Sequence, residues 1–463
     1  MDFDRLLSLW WQPETPDREY GGQISHDADG ATAIELVGTL SGTPFPMHDP
    51  EPEVLHGLGK QGPLFTARKV MRSGASMGMP GFATEVFRPR SLLVGAHVDE
   101  TTLYDEALLE TTFLTDWLQG SGIRIELRPG ADAQKGSVAV SYQSPVVRTS
   151  YAAPGVIVTT WTSHQGHPMR SGYGINETVA LKVALETAIP VDDLIENFVT
   201  PLLDLVSFGT GRSNAVDRLM VRSPSVTWVV GDKTERENLE FLTEWIAKPV
   251  KNPERLSADH MNFAVADAAM GFDELVRRWF ALYQDLRPSL APYFGLVYAP
   301  PTHLDLRLVS ISQALEAYHR ASKLPRGAMS KEEFAKFKEA LLDACPEKHT
   351  EFLKQKLGYL NELSQVERTN QLVERAKVAL RTLLPTRPSF AVDFIDARNA
   401  KTHPDETKTR VGGLHMYDLT ATATYLFEAC IMLDLGFDET VCAELFERQP
   451  QYRHLAANPP HSG

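Results

Sequence analysis

The sequence predicts an α+β multidomain protein, with an N-terminal antiparallel β-rich domain, sandwich- or barrel-like, followed by a C-terminal all-α helical bundle. Two observations predict it. From about residue 20 to 190, short runs rich in Val, Ile, Thr and aromatics alternate with clusters of Gly, Pro, Asp and Asn. That is the text of many short strands joined by turns. Beyond Pro300-Pro301, apolar residues instead recur at three- and four-residue steps, which places them on one face of successive helices.

The strand runs are Ala31–Leu40, Pro63–Met71, Ser91–His97, Ile123–Arg128, Gly136–Tyr142, Gly155–Thr162 and Glu177–Thr187. Helical spacing predicts one interruption at Tyr104–Leu118. After Pro190, Asp192 and Asp193 precede Leu194, Phe198, Leu202, Leu203 and Leu205, which reads as a capped amphipathic helix. Residues 215–230 read as a strand or two, and 234–248 and 272–284 as helices. The resulting division is a β-rich domain over 1–230, a mainly helical connector over 231–301 and a bundle over 302–463. Within the bundle the first stripe is Leu304, Leu308, Ile311, Leu315 and Tyr318. Helices are then expected at Lys331–Cys345, Glu351–Leu384 (one or two), Phe390–Thr402, Met416–Leu433 and about Glu439–Glu447, with a frayed tail after Pro459.

A chain of 463 residues accommodates two or three domains of ordinary size. Its three cysteines form neither a C-x-x-C pair nor an even framework, so disulfides and structural zinc are not expected, and a reducing cytoplasm fits. The N-terminus shows no basic segment followed by a long apolar one, and no stretch approaches the length of a membrane span. Residues 302–463 hold 21 Lys+Arg and 22 Asp+Glu, leaving 25 and 38 for residues 1–301. The N-terminal part is therefore strongly acidic, which argues against non-specific nucleic-acid binding there, although a solvated acidic surface explains the same count. The near-neutral C-terminal part can host a local basic site.

One segment carries chemistry: Asp396-Ala397-Arg398-Asn399-Ala400-Lys401-Thr402-His403-Pro404. Arginine brings a permanent charge and a planar fork of donors suited to phosphate. Histidine moves a proton near neutral pH. The pair suffices for metal-independent RNA cleavage, in which a 2′-hydroxyl attacks phosphorus and a cation stabilises the developing charge. Asn399 is placed to bond a phosphate oxygen or to hold the arginine. Five helical residues rotate about 500°, leaving Arg398 and His403 about 140° apart in direction. Pro404 pushes its predecessor out of the α region, so His403 is expected at the helix end with extended or irregular backbone, free to turn back. The competing explanation is complementation of the helix dipole by both side chains.

In this helical context, the R-N-x-x-x-H core resembles the HEPN signature, an Arg often followed by Asn and then a His four to six residues on. Ile311–Arg320 resembles the opening helix of ApeA-like HEPN domains. Trp10–Pro13, Gly21–Gly22, Ile34–Gly38 and Thr112–Trp117 resemble elements of the ApeA N-terminal domain. The resemblance covers most of the chain in order. It implies that Arg398 and His403 are a catalytic pair, with Asn399 beside them, in a homodimeric ribonuclease without metal or other cofactor. It further implies an abortive-infection, anti-phage effector whose N-terminal domain senses a phage component. Pro404 directly after the His departs from the family pattern and bears on the path of the loop.

Glu316 lies beside the stripe of the opening helix, placed to orient Arg398 or Lys401; an ordinary surface acid or a partner of a core arginine explains it equally. Lys401, Lys408 and Arg410 are expected RNA-phosphate contacts, or solvated surface. His415 and Tyr417 are candidates for base stacking, or for capping and core packing. His164 and His167 lack metal-ligand partners, and the glycine loops at 172–174 and 209–212 lack a P-loop lysine. Two other functions stay open: a non-catalytic HEPN module binding RNA or nucleotide, and a carbohydrate-binding or hydrolytic β domain on a merely dimerising bundle.

Overall fold

The structure, a computed structural model, describes residues 3–27, 30–40, 51–78, 80–128, 137–170, 172–245, 253–299, 303–402 and 413–459. The chain forms two compact units, Met1–Phe280 and Ala281–Gly463.

The first unit begins with six strands: β1 (Phe3–Trp11), β2 (Tyr20–His26), β3 (Thr32–Val37), β4 (Val54–Gly59), β5 (Leu64–Met77) and β6 (Ala83–Val94). They pair in the order β6-β3-β2-β1-β4-β5, and β5 pairs back onto β6, closing a barrel. Closure leaves no unpaired edge within the ring. The irregularity between Arg72 and Gly74 in β5 supplies the local bend such closure needs. Period-2 alternation turns Trp10, Ile24, Ile34, Leu55, Phe65 and Phe87 inward, where all are fully buried. Gly57 stands directly across from Trp10. A Cβ at Gly57 would lie 2.6 Å from the indole ring, so only glycine admits the tryptophan.

From β6 the sheet continues outward through β16 (Leu239–Thr243), β13 (Val216–Arg222), β7 (Leu103–Thr111), β12 (Gly172–Pro190), β11 (Val156–Met169) and β10 (Thr149–Ala153). Two hairpins stand apart, β8–β9 (Ile123–Arg128 and Ser137–Tyr142) and β14–β15 (Thr227–Val230 and Lys233–Arg236). The unit also holds helices α1 (Leu114–Leu118), α2 (Val191–Leu194) and α3 (Thr200–Thr210), with a π-helical turn at Ile195–Val199 between the last two. Gly211 ends α3 in the left-handed conformation and Gly209, inside the helix, packs against Trp117, so the two glycines are helix end and close approach rather than phosphate loop.

Several expectations are corrected here. Tyr104–Leu118 is β7 followed by the short α1, because pairing with both β12 and β13 overrides the helical spacing. Residues 234–245 are not helical: β15 and β16 occupy most of them, and 246–250 lie outside the described residues. Asp192 and Asp193 sit in the first turn of α2 and do not cap it; the N-cap is Pro190, without a side-chain bond. His164 and His167 are both on β11, and His164 stacks on Tyr142.

Helix α4 (Gly271–Tyr298) runs from the first unit into the second. The second unit then contains α5 (Leu304–Ala321), α6 (Lys331–Asp343), α7 (Thr350–Leu357), α8 (Gln365–Ala376), α9 (Phe390–Thr402), α10 (Gly413–Leu435), α11 (Glu439–Arg448) and α12 (Pro450–Ala457). The expected run Glu351–Leu384 divides, since Ser364 caps α8 in a reciprocal box with Glu367. The core is a helical bundle in which α10 packs on α5, α8 and α9. Among the described residues, no helix is long and apolar enough to cross a membrane.

Two buried polar pairs lock α10. Tyr293 donates to Glu428 at 2.7 Å. Arg387, just before α9, is 4% exposed and makes a fork with Asp418, with Nε 3.0 Å from Oδ2. The same guanidinium donates to the carbonyl of Leu455 at the end of α12. Truncating one partner strands the other charge in the core. Asp418→Ala is expected to destabilise the bundle by about 3–5 kcal/mol, read as a lower urea midpoint for its unfolding.

Candidate active site

Helix α9 carries the chemistry-bearing segment as far as Thr402. Phe390, Ala391, Phe394, Ile395 and Ala397 bury its apolar side, which leaves Arg398 and Asn399 half-buried at its C-terminal end. Arg398 Nη1 donates to Asn399 Oδ1 at 3.1 Å. Of the two roles read for Asn399, holding the arginine is thus present in the geometry. The Thr402 hydroxyl bonds back to the carbonyls of Arg398 and Asn399 at 3.2 and 3.4 Å, satisfying acceptors at the helix end. Arg398 Nε is buried and has no hydrogen-bond partner.

The contrast with neighbouring arginines is informative. Arg368 pairs with Glu362 and Glu316, Arg375 with Asp434, and Arg387 with Asp418. Arg398 meets no carboxylate among the described residues. A guanidinium with its charge uncompensated and donors unspent is suited to an incoming phosphate oxygen.

The supporting residues are placed differently from expectation. Glu316 orients neither Arg398 nor Lys401. Its carboxylate accepts from Arg320 at 2.9 Å, Gln365 at 3.1 Å and Arg368 at 3.4 Å, tying α5 to α8. Arg320 is exposed whereas Arg368 is buried, so the acid acts as the partner of a core arginine. Lys401 pairs with Asp305 at 3.0 Å, joining the end of α9 to the start of α5. Sequence reading missed Asp305, whose partner lies far along the chain. His403, Pro404, Lys408 and Arg410 lie outside the described residues, and with them the expectation about the backbone of His403.

At the start of α10, Tyr417 is 58% exposed and Leu414 89% exposed. His415 is half-buried, and its Nδ1 is buried without a partner. His319, on α5, is fully buried and bonds Gln371 at 2.8 Å through Nε2. Burial holds its pKa below 6.5, with Arg368, Arg326 and Arg320 adding to the effect against the Gln371 bond. The unfolded chain therefore binds the extra proton first as pH falls below about 6.5. Stability should decline in that window, and His319→Gln should flatten the decline in denaturant titrations across pH 7.5 to roughly 5.5.

A second outcome separates site from scaffold. Arg398→Ala gives up no ion pair and should change stability by within about 0.5 kcal/mol, whereas Arg375→Ala leaves the Asp434 carboxylate without its cation, held by the Tyr318 hydroxyl alone, and should cost about 2–4 kcal/mol. Thermal unfolding of both variants checks it.

Family models match the two units in turn. ApeA N-terminal domain 1 matches residues 5–279, and Apea-like HEPN matches residues 309–441. No curated protein and no solved structure matches the chain. The first match alone spans more than half of the sequence, and the second contains the whole Arg398–His403 segment. The chain belongs to the ApeA-like HEPN family.

Proposed function

We propose that the protein is an anti-phage, abortive-infection effector of the cytoplasm whose helical unit is a metal-independent endoribonuclease. The family supports the defence role, and the observation that carries the chemistry is Arg398. Its guanidinium is held by Asn399, faces no carboxylate among the described residues, and lies five positions before His403. In this reading a ribose 2′-hydroxyl attacks the adjacent phosphorus and the P–O5′ bond breaks. His403 transfers a proton, and Arg398 stabilises charge on the non-bridging oxygens. The products are a 2′,3′-cyclic phosphate and a 5′-hydroxyl. Lys401, Lys408 and Arg410 supply positive charge along the RNA path, Lys401 by exchanging Asp305 for phosphate.

A homodimer through the bundle completes the reading. The exposed Leu414 and Tyr417 flank the segment on α10, and exposed Leu306 adjoins Asp305 on α5, so an apolar rim borders the site. The N-terminal unit is the sensor of a phage component in this scheme, and its acidic character keeps RNA for the other unit.

The test uses the full chain and residues Ala281–Gly463, each incubated with total bacterial RNA in EDTA. Cleavage leaving cyclic phosphate ends is expected, reduced at least about a hundredfold by Arg398→Ala and by His403→Ala. RNA binding that persists without any cleavage by a folded dimer would favour the non-catalytic HEPN module instead.

A further inference from the structure

A groove of about 470 Å³ lies on the polar face of the β-sheet in the first unit, across β11, β12, β7 and β13, with Asn238 at its rim just before β16. That volume falls within the range of small-ligand sites, about 300–1000 Å³. Trp161 on β11 lines it and remains 38% exposed. The residue directly across from it on β12 is Ala180, fully buried and too small to occupy the space above the strand. A half-exposed tryptophan on a polar sheet face offers a flat apolar surface to a ligand.

The charges of the groove are balanced. Lys182 and Arg222 both lie against Glu106, at 2.8 and 3.1 Å, and Arg218 is 3.9 Å from Glu240. Other polar groups are unspent: the Glu110 carboxyl and the Ser163 and Thr178 hydroxyls have no hydrogen-bond partner among the described residues, yet all line the groove. Burial also pushes the Glu110 carboxyl above its ordinary pKa, against the pull of Arg218.

These features select among ligands. A phosphate chain would meet an unpaired carboxyl and cations that are already neutralised. An extended peptide adding to the sheet needs a free edge, whereas β7 is paired on both sides at this point. A neutral ligand with one apolar face and a rim of hydroxyls satisfies all the groups present, because each hydroxyl both donates and accepts.

We infer that this groove binds a short neutral glycan, with a sugar ring stacked on Trp161 and its hydroxyls bonded by Glu110, Ser163 and Thr178. The inference concerns the first unit alone and does not depend on the ribonuclease reading.

Isothermal titration of the full chain with maltotriose, cellotriose and triacetylchitotriose, each to millimolar concentration, tests it. At least one trisaccharide is expected to bind. Trp161→Ala should weaken that binding at least about tenfold at unchanged melting temperature, while Trp161→Tyr retains most of it and Glu110→Gln weakens it several-fold. Absence of binding by all three overturns the inference. So does binding that survives Trp161→Ala, or Trp161-dependent binding of poly(U) RNA in place of the sugars.

Discussion

The pairing of Arg387 with Asp418 fixes the geometry on which the candidate site rests. Arg387 stands three residues before α9, and Asp418 lies in the second turn of α10. One buried fork therefore ties together the helices on either side of the R-N-x-x-x-H segment. The carbonyl of Leu455 takes a further donor of the same guanidinium, so the chain after α12 is held to the same point. A buried charge pair is a costly way to gain stability, but it tolerates only one register between the helices it joins. That register places Arg398 at the end of α9, with its apolar neighbours sunk in the bundle.

The arginines of the bundle divide by what they meet. Arg368, Arg375 and Arg387 each spend their donors on carboxylates from other helices, and the pairs hold α5, α8 and α10 in place. Tyr318 reinforces one of them by donating to Asp434 at 2.6 Å. Arg398 spends one donor on its own neighbour and leaves Nε buried without a partner. Stability alone gives no reason to keep a cation in that state, since an unsatisfied buried donor costs free energy. Binding sites commonly hold such unspent groups, because an incoming ligand then completes the bonding.

The first unit solves a different problem. Its strands are joined by pairings between distant segments, and the β5–β6 contact closes the ring while the remaining strands fan out from β6. The barrel interior is apolar and filled, with Glu85 as a buried exception bonded to Arg72 and to the Leu40 amide. The extension has one apolar face, covering residues such as Leu109, Val183, Leu219 and Val221, and one polar face that carries the Trp161 groove. A closed barrel cannot offer such a face internally, so the groove lies on the extension.

By itself the sequence determined the order of a β-rich part and a helical part, the helix Phe390–Thr402, and the Arg398-Asn399 pair at its end. These follow from local rules: side chains alternate along strands, recur along helices, and neighbours in sequence stay neighbours in space. Tertiary structure decided the rest. β7 is a strand because β12 and β13 flank it, against its own spacing. Glu316 belongs to Arg320, Arg368 and Gln365, and Lys401 to Asp305, because those partners arrive from elsewhere in the chain. The barrel closes only through a pairing that no single strand announces. Ionic partners and sheet neighbours depend on how distant segments meet, and periodicity within a dozen residues carries no record of that meeting.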